Sequence, residues 1–247
     1  GKKWDVFADK RSNYLAGSPM VDCAQYVNPF IGNADNGHTF PGACAPFGMI
    51  QASPESGNVS WRYCSGFNYE DDEIFGFAQN HLNGTGCPDL GDILMLPFSG
   101  IIENREYKAR IDKSRQTARP GYYAVTLPDF GINAEVTATE HTAFYRYTYQ
   151  NDEEANLFID LHSGIVTSPQ GIRDRVLFSD MQMPDGRTIT GHNETNGWVR
   201  RHFYYVIAFD KSYKVKEMLP VREGEKAKRF VLTNFAYGIE KDWEAVQ

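Results

Sequence analysis

The chain has 247 residues, a hydrophobic content of 41% and a formal net charge of −7. That length is enough to bury one large core or two small ones. An acidic chain lacks the clustered lysines and arginines that bind phosphate backbones, so we expect no nucleic-acid partner. Its uncharged apolar runs are only a few residues long. This predicts no transmembrane segment and no signal-peptide core within the sequence.

The first twenty residues are polar and mixed, and the chain begins with Gly1 rather than with methionine. We interpret residues 1–20 as a tag, a linker or a disordered N-terminus. Any export signal would then have been removed from this end. A single β-sandwich domain is expected over residues 21–239, followed by a linker over residues 240–247.

Residues 27–100 are predicted to form a long loop-rich segment. Eleven of the 22 glycines fall between residues 31 and 100, together with five prolines. Such composition fixes a backbone by special turns more than by a strand ladder. Flat aromatic rings and short hydrogen-bonding groups lie between the turns, a mixture that suits a sugar. We predict that the substrate-binding residues of this segment are His38, Phe40, Trp61, Tyr63, Asp89 and Asp92.

Trp61 is the strongest of these candidates. An exposed indole offers a pyranose a flat apolar face while neighbouring polar groups meet the hydroxyls. The competing interpretation is a core tryptophan, and the turn-rich sequence around Ser60 and Arg62 leaves both open. His38 and His81 are candidates for contacts to sugar hydroxyls, although a histidine is more often a structural residue with its hydrogen bonds satisfied.

Asp89 and Asp92 lie in a glycine-rich loop before the apolar strand Ile93–Leu96. Glycoside hydrolysis uses two carboxyl groups, and an inverting enzyme holds them about 6.5–9.5 Å apart. The pair could therefore be an acid and a base. The favoured interpretation is structural, with at least one carboxylate accepting backbone N–H groups to fix the loop.

No metal site is predicted in this chain. The segment from Asn33 to Gly37 looks like the start of a calcium loop, but Cys44 stands where a bidentate carboxylate is required, so a turn rich in Asx residues is favoured. The four cysteines form no CxxC pair and lack zinc-ligand spacing. Disulfides and small buried thiols explain them equally well.

Beyond Gly100 the sequence alternates between apolar and polar residues, with regular turns, as in antiparallel strands. In the segment 143–149, Tyr145, Tyr147 and Tyr149 share one face. Spacing of about ten residues indicates an all-β antiparallel sandwich. The predicted strands are Tyr122–Leu127, Ile132–Thr139, Ala143–Tyr149, Leu157–Leu161, Val176–Met181, Thr188–His192, Trp198–Phe209 and Phe230–Phe235.

Several motifs together resemble a known family. They are NPFIG at 28–32, GHTFPGACAPFGM at 37–49, WRYCSGFNY at 61–69 and NHLNGTGCPDLGD at 80–92. These blocks resemble the N-terminal domain of glycoside hydrolase family 92, the calcium-dependent exo-α-mannosidases. Proteins of that family often carry a second tryptophan where this sequence has Tyr63.

The resemblance implies an N-terminal β-sandwich that packs on an (α/α)6 barrel, with an inverting active site at the junction. It places the catalytic acid, the base and the calcium ligands in the barrel, which is absent from this sequence. The implied partner is a mannose-containing glycan, and the implied location is extracytoplasmic: periplasmic, surface-attached or secreted. The alternatives are a free-standing carbohydrate-binding or cell-surface interaction domain, and a purely structural sandwich.

Overall fold

A computed structural model describes residues 23–45, 47–151, 155–168, 171, 175–221 and 226–236. The predicted N-terminal segment 1–20 and the predicted linker 240–247 lie outside these residues. Short 3₁₀ helices occur at Cys23–Tyr26, Trp61–Tyr63 and Glu103–Arg105. The strands are β1 (Ala43–Cys44), β2 (Gln51–Glu55), β3 (Glu73–Ile74), β4 (Gly76–Ala78), β5 (Leu94–Ser99), β6 (Ala109–Arg110), β7 (Asp112–Arg119), β8 (Tyr122–Leu127), β9 (Ile132–Ala138), β10 (Ala143–Tyr149), β11 (Ala155–Asp160), β12 (Val176–Gln182), β13 (Thr188–Thr195), β14 (Arg201–Ala208), β15 (Ser212–Pro220) and β16 (Ala227–Ala236).

The strands form a central sheet in the order β1-β2-β4-β5-β11-β16-β15. A second sheet has the order β10-β9-β8-β7, a third has the order β12-β13-β14, and β3 pairs with β6. Neighbouring strands within these sheets run antiparallel, as in the pairing of Phe158 with Leu96 and Val231. The prediction of an all-β antiparallel β-sandwich is confirmed.

Two apolar clusters lie on opposite faces of the central sheet, because alternate residues of a strand point to opposite sides. In β11, Phe158 joins the first cluster with residues of β8 and β9, such as Tyr123 and Val136. Its neighbours Leu157 and Ile159 join the second cluster, which includes Ile189 of β13. The sandwich is therefore built on both faces of one sheet.

The eight predicted strands all exist, with bounds displaced by up to three residues. Tyr145, Tyr147 and Tyr149 share the inward face of β10 as predicted, while Phe144 is exposed. Beyond Gly100, the two-residue strand β6 and the longer strands β7 and β15 are not among the predicted strands. The two longer ones share a position in the fold. Both are the last strand of their sheet and carry many charged residues. Edge strands are often charged, so they lack the apolar alternation from which a strand is predicted.

The segment 27–100 contributes five short strands joined by irregular turns, in agreement with its composition. Several non-glycine residues in this segment adopt left-handed backbone angles, which L-residues adopt only when the surroundings hold them. His38 has a φ of 52°, and Leu90 has a φ of 68°. These turns bring the predicted site residues toward one another.

Candidate functional site

Trp61 lies on the surface, in the short 3₁₀ helix Trp61–Tyr63, with its side chain 51% exposed. Its indole Nε1 donates a hydrogen bond of 2.9 Å to the carbonyl of Gly86. The ring of His38 stands perpendicular to the indole, with 4.3 Å between centroids. Two contacts thus fix the orientation of a ring that remains half open. Trp61 is a surface residue, so the core interpretation is wrong.

His38 and Phe40 lie beneath this surface. Both side chains are buried, and Phe40 packs against the ring of His81 at 5.6 Å between centroids. The carbonyl of His38 accepts the N–H of Gly84 at 2.7 Å, which ties the histidine turn to the glycine-rich loop. In this structure His38 supports the indole of Trp61, and Phe40 packs in the interior against His81.

Tyr63 lies beside Trp61 and is partly buried. Its ring approaches Gly57 so closely that a Cβ at that glycine would lie 2.4 Å from a ring carbon. The guanidinium of Arg62 lies 5.7 Å from the centre of the ring. Burial and the negative charge of Asp71 raise the pKa of the Tyr63 hydroxyl.

Asp89 is buried and accepts four hydrogen bonds. Arg201 binds both carboxylate oxygens, at 2.7 and 2.8 Å. The backbone N–H groups of Leu90 and Trp198 donate at 2.8 and 3.0 Å. Burial by itself would raise the pKa of Asp89, but these hydrogen bonds and the charges of Arg201 and Arg175 together lower it. The predicted structural role, a carboxylate that accepts backbone N–H groups, is confirmed.

Asp92 is also buried, and its partner is the buried guanidinium of Arg175 at 2.5 Å. Arg175 additionally donates to the carbonyls of Leu90 and Ser163, at 2.7 and 3.0 Å. Asn80 donates to Asp92 Oδ2 at 2.9 Å and accepts the Asp92 N–H at 2.9 Å. Asp89 and Asp92 are thus the acidic halves of two ion pairs, an arrangement suited to fixing a loop.

Glu55 and His81 form a third buried pair. The sequence indicated His81 as a candidate but gave no sign of its pairing with Glu55. His81 Nδ1 lies 2.7 Å from the carbonyl of Gln51, so this nitrogen carries a proton. His81 Nε2 faces Glu55 Oε1 at 3.3 Å, and both side chains are fully buried. Burial raises the pKa of Glu55 by more than the hydrogen bond and charge of His81 lower it. The pair therefore lies in the interior, next to the strand residue Gln51.

The comparison with known families decides what kind of domain this is. The model of the glycosyl hydrolase family 92 N-terminal domain matches residues 26–236. The chain belongs to this family. The family resemblance carried by the motifs of residues 28–92 is confirmed.

Solved structures of GH92 enzymes share this fold. A family GH92 α-mannosidase from Bacteroides thetaiotaomicron in complex with mannoimidazole has a TM-score of 0.75 and 30% identity, over 87% of this chain and 31% of that chain. A family GH92 inverting mannosidase from Bacteroides thetaiotaomicron VPI-5482 has a TM-score of 0.70 at 19% identity, over 90% of this chain and 31% of that chain. The second likeness shows the fold alone.

A sequence relative is known from Arthroderma benhamiae as an uncharacterized secreted glycosidase. It is 34% identical over 148 residues, which cover 55% of this GH92 chain and 18% of the relative. The chain therefore spans less than a third of the length of the relatives it matches.

The described residues of this GH92 domain contain no group of three or more His, Cys, Asp or Glu side chains arranged to hold a metal ion. Asn33 instead donates to the carbonyls of Pro29 and Thr39 and to Thr39 Oγ1, at 2.7–3.1 Å, which confirms a turn built on Asx hydrogen bonds. The carboxylates of Asp89 and Asp92 are occupied by guanidinium groups.

The four cysteines of the GH92 domain are free thiols. Burial, with a smaller contribution from Cys87, raises the pKa of Cys64 to about 11, so Cys64 is no nucleophile at neutral pH. A surface groove of about 640 Å³ lies between Ile102, Arg105, Tyr107 and Glu217–Leu219, and none of the predicted site residues lines it. No helix in the described part of the chain has the length and hydropathy that crossing a membrane requires.

The residues missed from the sequence are the two arginines and Glu55. Arg201 lies 112 positions from Asp89, so no local pattern connects them. The sequence gives only a weak local indication that Glu55 is buried. It ends strand β2, and the three residues before it are small or apolar.

Proposed function

We propose that this chain is the N-terminal, sugar-pocket-forming domain of an inverting exo-α-mannosidase that trims mannose from glycans. In this proposal, an (α/α)6 barrel of the same polypeptide packs against the loop surface around Trp61. The pocket for the terminal mannose lies at that junction. His38, Phe40, Trp61, Tyr63, Asp89 and Asp92 form or support the wall supplied by this domain.

The observation that carries the proposal is the locked, half-exposed indole of Trp61. An exposed aromatic side chain normally samples several rotamers, and fixing it beforehand lowers the entropic cost of binding a ligand. Here His38 and the Gly86 carbonyl fix the ring. The flat face of an indole matches the C–H face of a pyranose, and this chain belongs to a family of glycosidases.

The catalytic step is assigned to the barrel. In an inverting hydrolysis one carboxylic acid protonates the leaving oxygen while a carboxylate activates water on the opposite face of the sugar. Asp89 and Asp92 are paired with Arg201 and Arg175, and burial has already removed them from water. In the proposal they neither give nor take a proton, and this domain orients the sugar and excludes water on its side.

Calcium is proposed for the complete enzyme and is assigned to the barrel. In support, the described residues contain no cluster of three or more acidic, histidine or cysteine side chains arranged to hold an ion. An extracytoplasmic location is proposed from the relative known as a secreted glycosidase. The proposed substrate is a mannose-containing glycan.

The test compares the 247-residue chain with the full-length polypeptide on an aryl α-mannoside in the presence of calcium. We expect hydrolysis by the full-length protein and none by the chain alone, because general acid and base catalysis are missing from it. NMR of the first product should show β-mannose, the anomer that inversion yields. Chelation should abolish the activity of the full-length protein.

Two results would contradict the proposal. Turnover by the 247-residue chain comparable to that of the full-length protein would place an acid and a base within this domain. Tight mannoside binding by the chain alone, with no hydrolysis by the full-length protein, would instead establish the free-standing carbohydrate-binding domain.

A further inference from the structure

A second exposed tryptophan lies at the hairpin that joins β13 to β14. The two strands pair up to Thr195 and Arg201, so residues 196–200 form the hairpin loop. Trp198 is 73% exposed at its tip, and Val199 beside it is 62% exposed. None of the site residues predicted from the sequence lies in this loop, and Trp198 was predicted to begin a strand.

Buried charges hold the hairpin loop in place. The Trp198 N–H donates to Asp89 Oδ2 at 3.0 Å, and the Asn196 N–H donates to the Arg175 carbonyl at 2.6 Å. Arg201, at the end of the loop, binds both oxygens of Asp89. A Cβ at Gly197 would lie 2.2 Å from Asp89 Oδ1, so this close approach requires glycine. Hydrogen bonds to buried groups thus fix the backbone at Trp198.

The same glycine-rich loop serves both tryptophans. Gly86 accepts the indole N–H of Trp61, and Asp89 accepts the backbone N–H of Trp198. Three residues span at most about 10 Å, so the residues that anchor the two tryptophans lie close together in one loop. Arg200 and Glu194 form an ion pair at the base of the hairpin and supply charged hydrogen-bonding groups there.

An exposed indole on a rigid backbone, close to charged side chains, is what a carbohydrate requires of a protein surface. A large apolar ring held at a hairpin tip is unfavourably exposed to water. A ligand that covers the ring removes this apolar area from water, which favours binding. The pocket of an exo-acting enzyme encloses only the terminal sugar. The more open of the two indoles is therefore left for the sugar next to it.

We propose that Trp198 binds the leaving-group sugar, the residue to which the terminal mannose is attached. This inference rests on the proposed function. It makes Trp198 a specificity-determining residue and Asp89 the positioning residue that holds it. The competing occupant, another domain packed on Trp198 and Val199, is an outcome of the test.

The test uses the full-length protein and two substrates that share the terminal mannose. An α-linked mannobiose has a sugar as leaving group, whereas α-mannosyl fluoride has a single atom. We expect Trp198→Ala to lower kcat/KM for mannobiose about tenfold more than kcat/KM for the fluoride. Trp198→Tyr should retain most of the wild-type ratio between the two substrates, because it keeps an aromatic face.

Two further variants test whether the anchoring of the hairpin loop, and not exposure alone, determines the substrate ratio. Asp89→Asn should shift the substrate ratio in the same direction as Trp198→Ala, because it weakens the anchor of the hairpin loop. Val206→Ala serves as the matched control, since Val206 is 68% exposed on the adjoining strand and should leave the ratio at its wild-type value. The thermal midpoint of each variant checks that the protein is folded.

The outcomes distinguish this inference from the proposed function. Equal losses on both substrates with Trp198→Ala would assign Trp198 to domain packing and overturn the inference alone. No loss on either substrate would also overturn it alone. A folded wild-type protein that hydrolyses neither mannoside would overturn the proposed function, and the inference with it.

Discussion

The loop segment 27–100 and the four-stranded sheet β7–β10 achieve a stable interior by opposite means. The buried side chains of the sheet are apolar almost throughout. They include Tyr123, Val125, Leu127, Ile132, Ala134 and Val136. The loop segment buries many polar and charged groups instead: Asn33, His38, Ser53, Glu55, Ser65, Asn68, His81, Asp89 and Asp92.

The difference explains how each region serves the molecule. Apolar packing is non-directional and tolerates small adjustments, so it suits a scaffold. A buried charge is stable only with a matched partner in correct geometry, so each ion pair fixes the loops it joins. Asp89 and Asp92 accordingly fix the surface that carries Trp61 and Trp198, and the sheet supports it.

The largest expected effect tests whether the buried pairs are essential. Arg175→Met removes the close guanidinium partner of the buried Asp92 carboxylate, whose remaining partners are Asn80 and, at 3.9 Å, Arg201. We expect the free energy of unfolding to fall by about 3–5 kcal/mol, measured by chemical denaturation of the 247-residue chain.

The matched control for this prediction is Arg146→Met in the four-stranded sheet. Arg146 pairs with Glu135 at 2.6 Å, but its side chain is 67% exposed, so water replaces the lost contact. A much smaller loss is expected. Equal losses in the two variants would show that the buried network does not distinguish the loop segment from the sheet.

A smaller loss of stability is expected from breaking a hydrogen bond between the loop segment and the four-stranded sheet. The hydroxyl of Tyr145 on β10 donates to Gln79 Oε1 at 3.1 Å. Tyr145→Phe should cost about 1 kcal/mol of unfolding free energy. The neighbouring Tyr147 has a buried hydroxyl without a hydrogen-bond partner among the described residues, so Tyr147→Phe should be neutral or stabilising. A larger loss from Tyr147→Phe than from Tyr145→Phe would contradict the assigned contacts.

The pH dependence of stability should separate two acids of the loop segment. The pKa of Glu55 is raised from 4.5, so the folded state binds a proton that the unfolded state releases, and stability falls as pH rises above 4.5. The pKa of Asp89 is lowered from 3.8, so its stabilisation is present above 3.8 and is lost as pH falls below that value. Denaturation curves across this range should show Glu55→Gln flattening the first slope and Asp89→Asn the second. Slopes of the same sign for both residues would refute this assignment.

The sheet could be predicted from the sequence because its signal is local. Alternation within 122–127, 132–138 and 143–149 identifies β8, β9 and β10 without knowledge of their partners. The same pattern does not identify β7 and β15. These edge strands carry charged residues, so apolar and polar residues do not alternate along them.

The candidate site could be predicted only in part. Motifs and composition located Trp61, Asp89 and Asp92, and loop chemistry indicated that a carboxylate would accept backbone N–H groups. The partners Arg175 and Arg201 depend on chain folding over long separations, 112 residues for Arg201 and Asp89. Trp198 was missed for a local reason, because its neighbours in sequence indicated the start of a strand.

The measurement that tests the central claim most directly is Trp61→Ala in the full-length protein, with kcat/KM on an α-mannoside and the thermal midpoint determined on the same preparation. Loss of a stacking indole should cost about 1–3 kcal/mol of transition-state binding, or roughly 5- to 150-fold in kcat/KM. The midpoint should change little, because half of the ring is already exposed. Unchanged kcat/KM, or a collapsed midpoint with activity falling only in proportion to folded protein, would show that Trp61 is no part of a sugar site.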